Sequence, residues 1–265
     1  MTALASPLAR SGVDPVRAMA AYLGLELRRA LRNRRYFVFA IGFPVVFYLL
    51  YTGVLQGGGA AAATDPRWPA YFMVSMAAYG MIGASLSNAV PIAQERASGW
   101  TRQLRITPLP APAWIATKLA VAYLTALPSL LLVGLAAVLV NHVSLPAGTW
   151  LAIGLSLALG VLPFAGIGLL FGFLFDVTSA QPAVMISYIA MAILGGLWVP
   201  VTTFPATLAT IAQIMPTYHF ANLGWGSLVN GLPDLTDVAF VAAWAVALFG
   251  LVAWRYRVTE LRARG

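Results

Sequence analysis

Uncharged residues dominate this chain in long unbroken runs, and the runs set the elements. No Asp, Glu, Lys or Arg occurs from Tyr36 to Thr64, Trp68 to Gln94, Leu119 to Phe175, Val177 to Pro233 or Val238 to Trp254. A helix needs roughly 20 apolar residues to cross the hydrocarbon core of a bilayer. The third run contains a polar break, Asn141-His142-Val143-Ser144-Leu145-Pro146, and holds two crossings. The fourth begins as one crossing and then becomes mixed and proline-interrupted. The pattern predicts an all-α integral membrane protein with six transmembrane helices, near 36–55, 70–92, 119–140, 149–175, 182–200 and 238–254.

A different periodicity precedes the first span. On a helix at about 100° per residue, Val16, Met19, Ala20, Leu23, Leu27, Ala30 and Leu31 fall within an arc of roughly 120°. Arg17, Glu26, Arg28, Arg29 and Arg32 lie outside it, with Leu25 the exception on the polar face. Asp14-Pro15 reads as an N-cap followed by proline at the first helical position. A basic amphipathic helix of this kind lies in the membrane interface. Residues 1–35 are therefore expected to be a cytoplasmic tail and interfacial helix, 36–254 a six-helix transmembrane domain, and 255–265 a basic cytoplasmic tail.

Composition excludes the soluble alternative. Of the 265 residues, 60 % are apolar or aromatic and 9 % are charged, with a mean hydropathy of +0.83. Soluble chains carry about 25 % charged residues, and no compact body of this size hides so much apolar surface from water. Cysteine is absent, which removes disulfides, thiolate metal sites and cysteine nucleophiles. The formal charge is +8. The basic residues cluster at the ends of apolar runs, where lipid headgroups lie, so they argue for membrane topology and not for a nucleic-acid partner.

With six spans both termini share one side. If that side is cytoplasmic, its segments hold fifteen of the sixteen Lys and Arg, and Arg67 alone lies outside. This is the asymmetry of the positive-inside rule. Ala60–Ala63 could mimic a signal-cleavage site, but the apolar run before it is about 20 residues, longer than the 7–15 of a secretory core, so an uncleaved first span is expected. The expected location is a bacterial inner membrane, multi-pass.

The predicted spans carry almost no ionisable groups, which mark ion and proton pathways. Asp176 and Lys118 fall at cytoplasmic edges, and His142 and His219 fall in outer segments without a nearby carboxylate. No G-x-S-x-G or H-E-x-x-H pattern occurs. A proton-coupled carrier or an intramembrane hydrolase is disfavoured on this ground. Pro44, Pro91, Pro128 and Pro163 lie inside or near the ends of spans, where proline kinks helices and frees carbonyls. The pairs Gly53–Gly57 and Gly168–Gly172 have GxxxG spacing, but with 24 glycines chance alone supplies roughly two such pairs, so they are not read as dimerisation motifs.

Two segments exceed plain connectors. The cytoplasmic loop from Gln94 to Pro110 reads as a short helix stopped by Pro108 and Pro110, with Trp100, Leu104 and Ile106 set among arginines as a protein-docking surface would be. The outer stretch from Val201 to Asp237 is uncharged until Asp234, and Leu208, Ile211, Ile214 and Met215 follow helical spacing between Pro205 and Pro216. It is expected to dip into the outer leaflet as short helices or a re-entrant segment, protected by surrounding protein.

Over nearly its whole length the chain resembles a type 2 ABC-transporter permease, the membrane subunit of bacterial ABC exporters. The family loop between spans two and three tends to read E-x-x-x-G, an apolar residue, T/S-P, then a basic residue entering span three; here these are Glu95, Gly99, Leu104, Thr107-Pro108 and Lys118. The late family pattern of G-G, P, P and P-x-Y is matched by Gly195-Gly196, Pro200, Pro205 and Pro216-Thr217-Tyr218. Trp100 and Arg102 depart from the smaller or acidic residues expected there.

The resemblance implies a division of labour. The chain has no G-x-x-x-x-G-K-[ST] loop, and its one lysine, Lys118, follows no glycine-rich approach. Neither catalysis nor a cofactor is expected on this chain; ATP and Mg would sit on a separate nucleotide-binding ABC ATPase subunit. Glu95, Arg96, Gly99, Trp100, Leu104, Arg105 and Pro108 would form the coupling helix seated on that subunit. Gly195, Gly196, Pro200, Pro205, Pro216 and Tyr218 would shape the outer re-entrant segment. A second permease chain, identical or homologous, and membrane lipids complete the implied partners. Tyr48, Tyr51, Phe72, Tyr79, Trp198 and Trp225 favour a hydrophobic or amphipathic substrate, as in drug or antibiotic efflux. An ATP-independent secondary carrier and a non-transporting scaffold or sensor subunit are the alternatives.

Overall fold

The computed structural model describes residues 15–33, 38–58, 66–100, 103 and 111–262, and their regular structure is helical throughout. The elements are α1 (Pro15–Arg32), a π-turn (Val38–Gly42) running into α2 (Phe43–Gly58), α3 (Trp68–Leu86), α4 (Ala89–Ala97), α5 (Ala111–Leu139), α6 (Ala147–Gly160), α7 (Leu162–Leu174), α8 (Ala180–Leu194), α9 (Ala206–Ala212), α10 (Pro216–Asn230) and α11 (Leu235–Arg262). Four helical segments are long and apolar enough to cross a membrane: Trp68–Ala97, Ala113–Leu139, Ala147–Leu174 and Leu235–Tyr256. Ala40–Gly53 and Ala180–Leu194 are apolar but shorter.

The helices differ in how their apolar surface is used. In Trp68–Ala97, 83 % of the most apolar window is buried, whereas in Leu235–Tyr256 the share is 17 %. A helix apolar on all sides either fills a core or faces lipid. The first solution is α3, ringed by α2, α5, α7, α8 and α10; the second is α11, which lies outside against α7 and α10. The core runs along α3 through Phe72, Met73, Met76, Met81, Ile82 and Leu86 and meets Ile153, Leu157, Phe164 and Phe220 from α6, α7 and α10.

Prolines mark the breaks. Pro163 opens α7 after the turn at Val161 that divides the 147–174 segment, and Pro91 lies just after the turn at Ser87-Asn88 that separates α3 from α4. Pro128 sits inside α5. Pro44 follows the π-turn; it has no N–H for the carbonyl of Ala40, which lies instead against α3, 2.8 Å from where a Cβ on Gly80 would stand.

Two predicted helix limits and one face assignment are corrected. The helix of the third span starts at Ala111 and not at 119, so Lys118 lies inside α5, in its second turn, and is 1 % exposed. Absence of charge was the wrong criterion there, because the charge is neutralised by partners on other helices. The fifth helix ends at Leu194 and not at 200, turned by Gly195 and by Gly196 at φ +76°. Glu26 was placed on the solvated face of α1, but it is 6 % exposed and, with Tyr22, sits at the centre of the face packed on α5. The apolar arc is consequently split: Met19, Leu23, Leu27 and Ala30 flank the contact, while Val16 and Leu31 remain exposed.

The second GxxxG pair has a role within the chain. A Cβ on Gly168 would stand 2.7 Å from the carbonyl of Ser85, and one on Gly172 would stand 2.6 Å from Ile92 and 3.0 Å from the carbonyl of Ala89. The two glycines let α7 cross the α3–α4 turn at backbone contact, the small-residue packing that lipid-embedded helices use. Gly53 has open space around it. We therefore expect Gly172→Val to lower the thermal midpoint in detergent by the equivalent of about 2 kcal/mol or more through overpacking. Gly53→Ala should leave it unchanged or raise it by up to about 1 kcal/mol through helix propensity.

Candidate functional site

Three segments far apart in sequence converge on one ammonium group. Lys118, in the second turn of α5, donates to Glu26 Oε2 of α1 and to Glu95 Oε1 of α4. The remaining carboxylate oxygens are also used. Trp114, one turn before Lys118, donates its indole N–H to Glu95 Oε2 at 3.2 Å, and Arg29 Nη1 donates to Glu26 Oε1 at 3.0 Å. Two carboxylates thus meet one ammonium and one guanidinium, and the cluster is electrically balanced. Balance is required, because an unpaired charge taken out of water costs several kcal/mol.

Aromatic rings seal the cluster. The Arg29 guanidinium lies over the Trp100 ring at 5.4 Å from its centroid, and Tyr22, Trp114 and Ile92 pack beside it with Phe173 and Val252. The Tyr22 hydroxyl is held well above the ordinary phenol range, first by burial and then by the nearby charges of Glu95 and Glu26. Beside the cluster a polar crevice of about 450 Å³ opens between α1 and α4, lined by Arg29, Asn33, Asn88, Gln94 and Ser98 among others.

The start of the loop grows out of this cluster. Ser98 N–H donates to Gln94 O, and Gly99 stands at φ +73°, a left-handed conformation that side chains resist and proline cannot adopt. Arg96 points the other way: its Nη1 donates to Gly172 O at 2.7 Å and its guanidinium lies 6.0 Å from the Phe173 ring, so it satisfies carbonyls at the C-terminal end of α7. Of the predicted coupling residues the structure thus joins Glu95 to Lys118, sets Trp100 against Arg29 of the same cluster, places Gly99 in the turn that follows and sends Arg96 to α7. Leu104, Arg105 and Pro108 lie outside the described residues. Sequence reasoning missed Glu26 as a member, although a lone lysine inside an apolar helix is a signal that a carboxylate must meet it.

At the other end of the bundle the predicted outer segment is two short helices and a 3₁₀ turn (Val201–Thr203). Pro200 precedes the turn, Pro205 precedes α9 and Pro216 opens α10. Gly195 abuts the first turn of α10, where a Cβ would stand 2.3 Å from Thr217 Oγ1. α10 is built into the bundle against α6, α11 and α3, with Phe220, Ala221 and Trp225 buried. Tyr218 is half-buried and meets His219 edge to face. His219 was read as lacking a carboxylate neighbour; Asp237, 18 residues on, lies against it.

Of the six aromatics singled out in sequence, Tyr48, Phe72, Tyr79 and Trp225 are buried packing groups. Phe72 stacks with Tyr51 at 4.7 Å, Trp225 with Tyr71 at 4.6 Å and Tyr79 with Tyr188 at 4.3 Å. Tyr51 and Trp198 stay half-buried and, with Phe43 and Phe47, leave an uncharged aromatic face between α2, α3 and α8.

The family model described as ABC-2 family transporter protein matches residues 65–254. The Bacillus subtilis (strain 168) protein named "Putative transport permease YvfS" is 28 % identical over 230 residues, which are 86 % of this chain and 92 % of that relative.

Lys118→Met would strand two buried carboxylates, and we expect it to destabilise the chain by about 3–5 kcal/mol, read as thermal unfolding in detergent. Adding Glu26→Gln and Glu95→Gln to the same chain should recover more than half of the loss. A Lys118→Met midpoint equal to that of the unsubstituted chain would refute the ionic cluster.

Proposed function

The chain belongs to the ABC-2 transporter family, a membrane permease of many apolar helices, and from that membership we propose that it is the membrane-spanning subunit of an ATP-driven exporter. The observation that carries the reading is the Glu26–Lys118–Glu95 cluster. It fixes the first residue of the Glu95–Pro108 loop to the entry helix α1 and to the start of α5, so a push on that loop is delivered to two helices and not absorbed by a slack connector. ABC-2 permeases generally work with an ATPase subunit, and the loop is the surface on which such a subunit, carrying ATP and Mg, would act. In this reading the six apolar segments all span, both termini are cytoplasmic, and the membrane is a bacterial inner membrane. Two permease chains enclose the pathway. The domain limits 1–35, 36–254 and 255–265 belong to the same proposal.

The substrate class follows from the half-buried aromatic face. Phe43, Phe47, Tyr51 and Trp198 offer stacking surface and no charge, which suits a hydrophobic or amphipathic molecule such as a drug, antibiotic or lipid, and gives an inorganic ion nothing to bind.

ATP drives a transporter only by favouring one conformation over another. The loop must therefore transmit a difference, and a variant that deforms it should separate hydrolysis from transport. Tagged chain purified in mild detergent from its native membrane should bring down vanadate-sensitive ATPase activity. Gly99→Pro, which cannot adopt the φ of that residue, and Leu104→Asp should each lower export of a dye or drug by at least about tenfold while ATPase subunit remains bound. Normal export by both variants, or a chain that purifies without any ATPase, would overturn the coupling assignment.

A further inference from the structure

At the end of the bundle opposite the Lys118 cluster, His219 is 5 % exposed and wedged between two elements. Its Nδ1 lies 2.6 Å from Asp237 Oδ1 of α11, and its Nε2 lies 2.7 Å from the backbone carbonyl of Gln213, just past α9. Phe240 lies flat on the imidazole, with centroids 4.1 Å apart and planes 7° from parallel, and Asn222 approaches Asp237 Oδ1 at 3.5 Å. One side chain therefore pins α9, α10 and α11 together.

The two contacts set a requirement on protons. A backbone carbonyl only accepts, so Nε2 must carry a hydrogen. The contact between Nδ1 and Oδ1 also needs one, whether it rests on the ring or on the carboxyl group. The pair thus holds one proton more than a neutral imidazole beside an ionised carboxylate. Without that proton, one of the two contacts sets lone pair against lone pair at hydrogen-bond distance. The proton belongs to the pair, shared between the ring and the carboxyl group.

Among the described residues the elements packed against the pair carry few other titratable side chains, and the exposed His142 lies on the loop before α6. α6 and α9 carry no titratable side chain, α8 offers Tyr188 and α10 itself Tyr218, and α3 contributes Tyr71 and Tyr79. Tyr188 donates to Tyr79 O, and Tyr71 lies toward Tyr218. Asp234 is exposed and accepts from Thr236 N–H at the start of α11, and the exposed Arg67 precedes α3.

We propose that His219 and Asp237 form a proton-dependent latch that holds the α9–α10 cap on α11, closed while the pair carries its shared proton and released when that proton is lost. The sign follows: closure is complete at mildly acidic pH and weakens as pH rises. The latch stands on its own geometry and does not rest on the ATPase partner.

The chain has no cysteine, so one introduced thiol reports without background. Ala212→Cys places it at a residue that is fully buried beside Gln213, and Thr203→Cys places a reference thiol on the exposed 3₁₀ turn. Maleimide labelling of the full-length purified chain is measured from pH 6 to 8.5, and the ratio of the two rates cancels the intrinsic ionisation of the thiol. The ratio should rise about tenfold across this range, the equilibrium effect of one lost hydrogen bond. In a His219→Gln background, where the amide can still donate to Gln213 O but cannot titrate, the ratio should stay flat. If Ala212→Cys does not fold, the thermal midpoint of the cysteine-free chain serves, falling with pH when His219 is present and flat in His219→Gln. A flat response with His219 present, or an equal response in His219→Gln, overturns the latch.

Discussion

An ammonium group buried in a helix bundle must be neutralised where it stands, and Lys118 meets that demand with carboxylates from two other helices. The contacts span 92 and 23 residues of sequence, so they tie the entry helix, the end of α4 and the start of α5 into one body. Much of the surrounding architecture depends on this tie. The face of α1 that packs inward is set by Glu26 and Tyr22 and not by the centre of its apolar arc, which leaves Val16 and Leu31 available to lipid. Trp114 is held by the same carboxylate, and Arg29 is drawn over Trp100. A buried ion cluster is weak evidence for stability as such, since apolar groups of the same shape do as well or better. Its value here is geometric: the partners leave few relative positions open to the three segments.

A second constraint is the apolar character of the middle of the bundle. Several hydroxyls there turn back on their own helices. Thr52 donates to Tyr48 O, Ser75 to Tyr71 O, Thr125 to Val121 O and Ser227 to Leu223 O, each four residues earlier. These bonds satisfy polar atoms within one helix, and only a few side chains, such as Tyr188 on Tyr79 O, Trp225 on Tyr71 O and Ser156 with Ser227, bond across helices, so apolar packing carries most of the centre. Close packing of this kind needs small residues where backbones meet, which is the part played by Gly168 and Gly172 against Ser85 and Ala89.

Much of this was legible in the sequence and some was not, for physical reasons. Runs of uncharged residues give helices directly, because a backbone in lipid has to satisfy itself. The apolar helical segments of the structure fall where those runs fall, four of them long enough to cross a bilayer. Glu95 and Lys118 were both singled out, yet as separate positions of one pattern; a linear reading cannot show that they touch, or that Glu26 joins them. The same blindness hid Asp237 from His219, eighteen residues and one turn away. Spacing statistics failed on glycine in the opposite direction. Gly53–Gly57 and Gly168–Gly172 are identical as patterns, yet Gly168 and Gly172 meet a neighbouring backbone while Gly53 has open space around it.

Charge in this molecule is therefore kept to the two ends, and the ends are unlike. At one end an ammonium is shared by two carboxylates from two other helices. At the other, an imidazole bridges a carboxylate and a carbonyl, and histidine is the side chain whose ordinary titration falls inside that range. Between them run α3 and α4, interrupted once at Ser87-Asn88, and α10, which brings His219 to one end and Trp225 into contact with Tyr71 of α3. The middle carries no charge to pin it among the described residues, so a change at either end reaches the other only by moving packed helices. A permease must open its two ends in turn, and a bundle held by a permanent tie at one end and a titratable one at the other has unequal freedom at the two. The Lys118 cluster ties Glu95, at the described start of the loop, to α1 and α5, and the end closed by His219 is the one whose closure solution conditions can set.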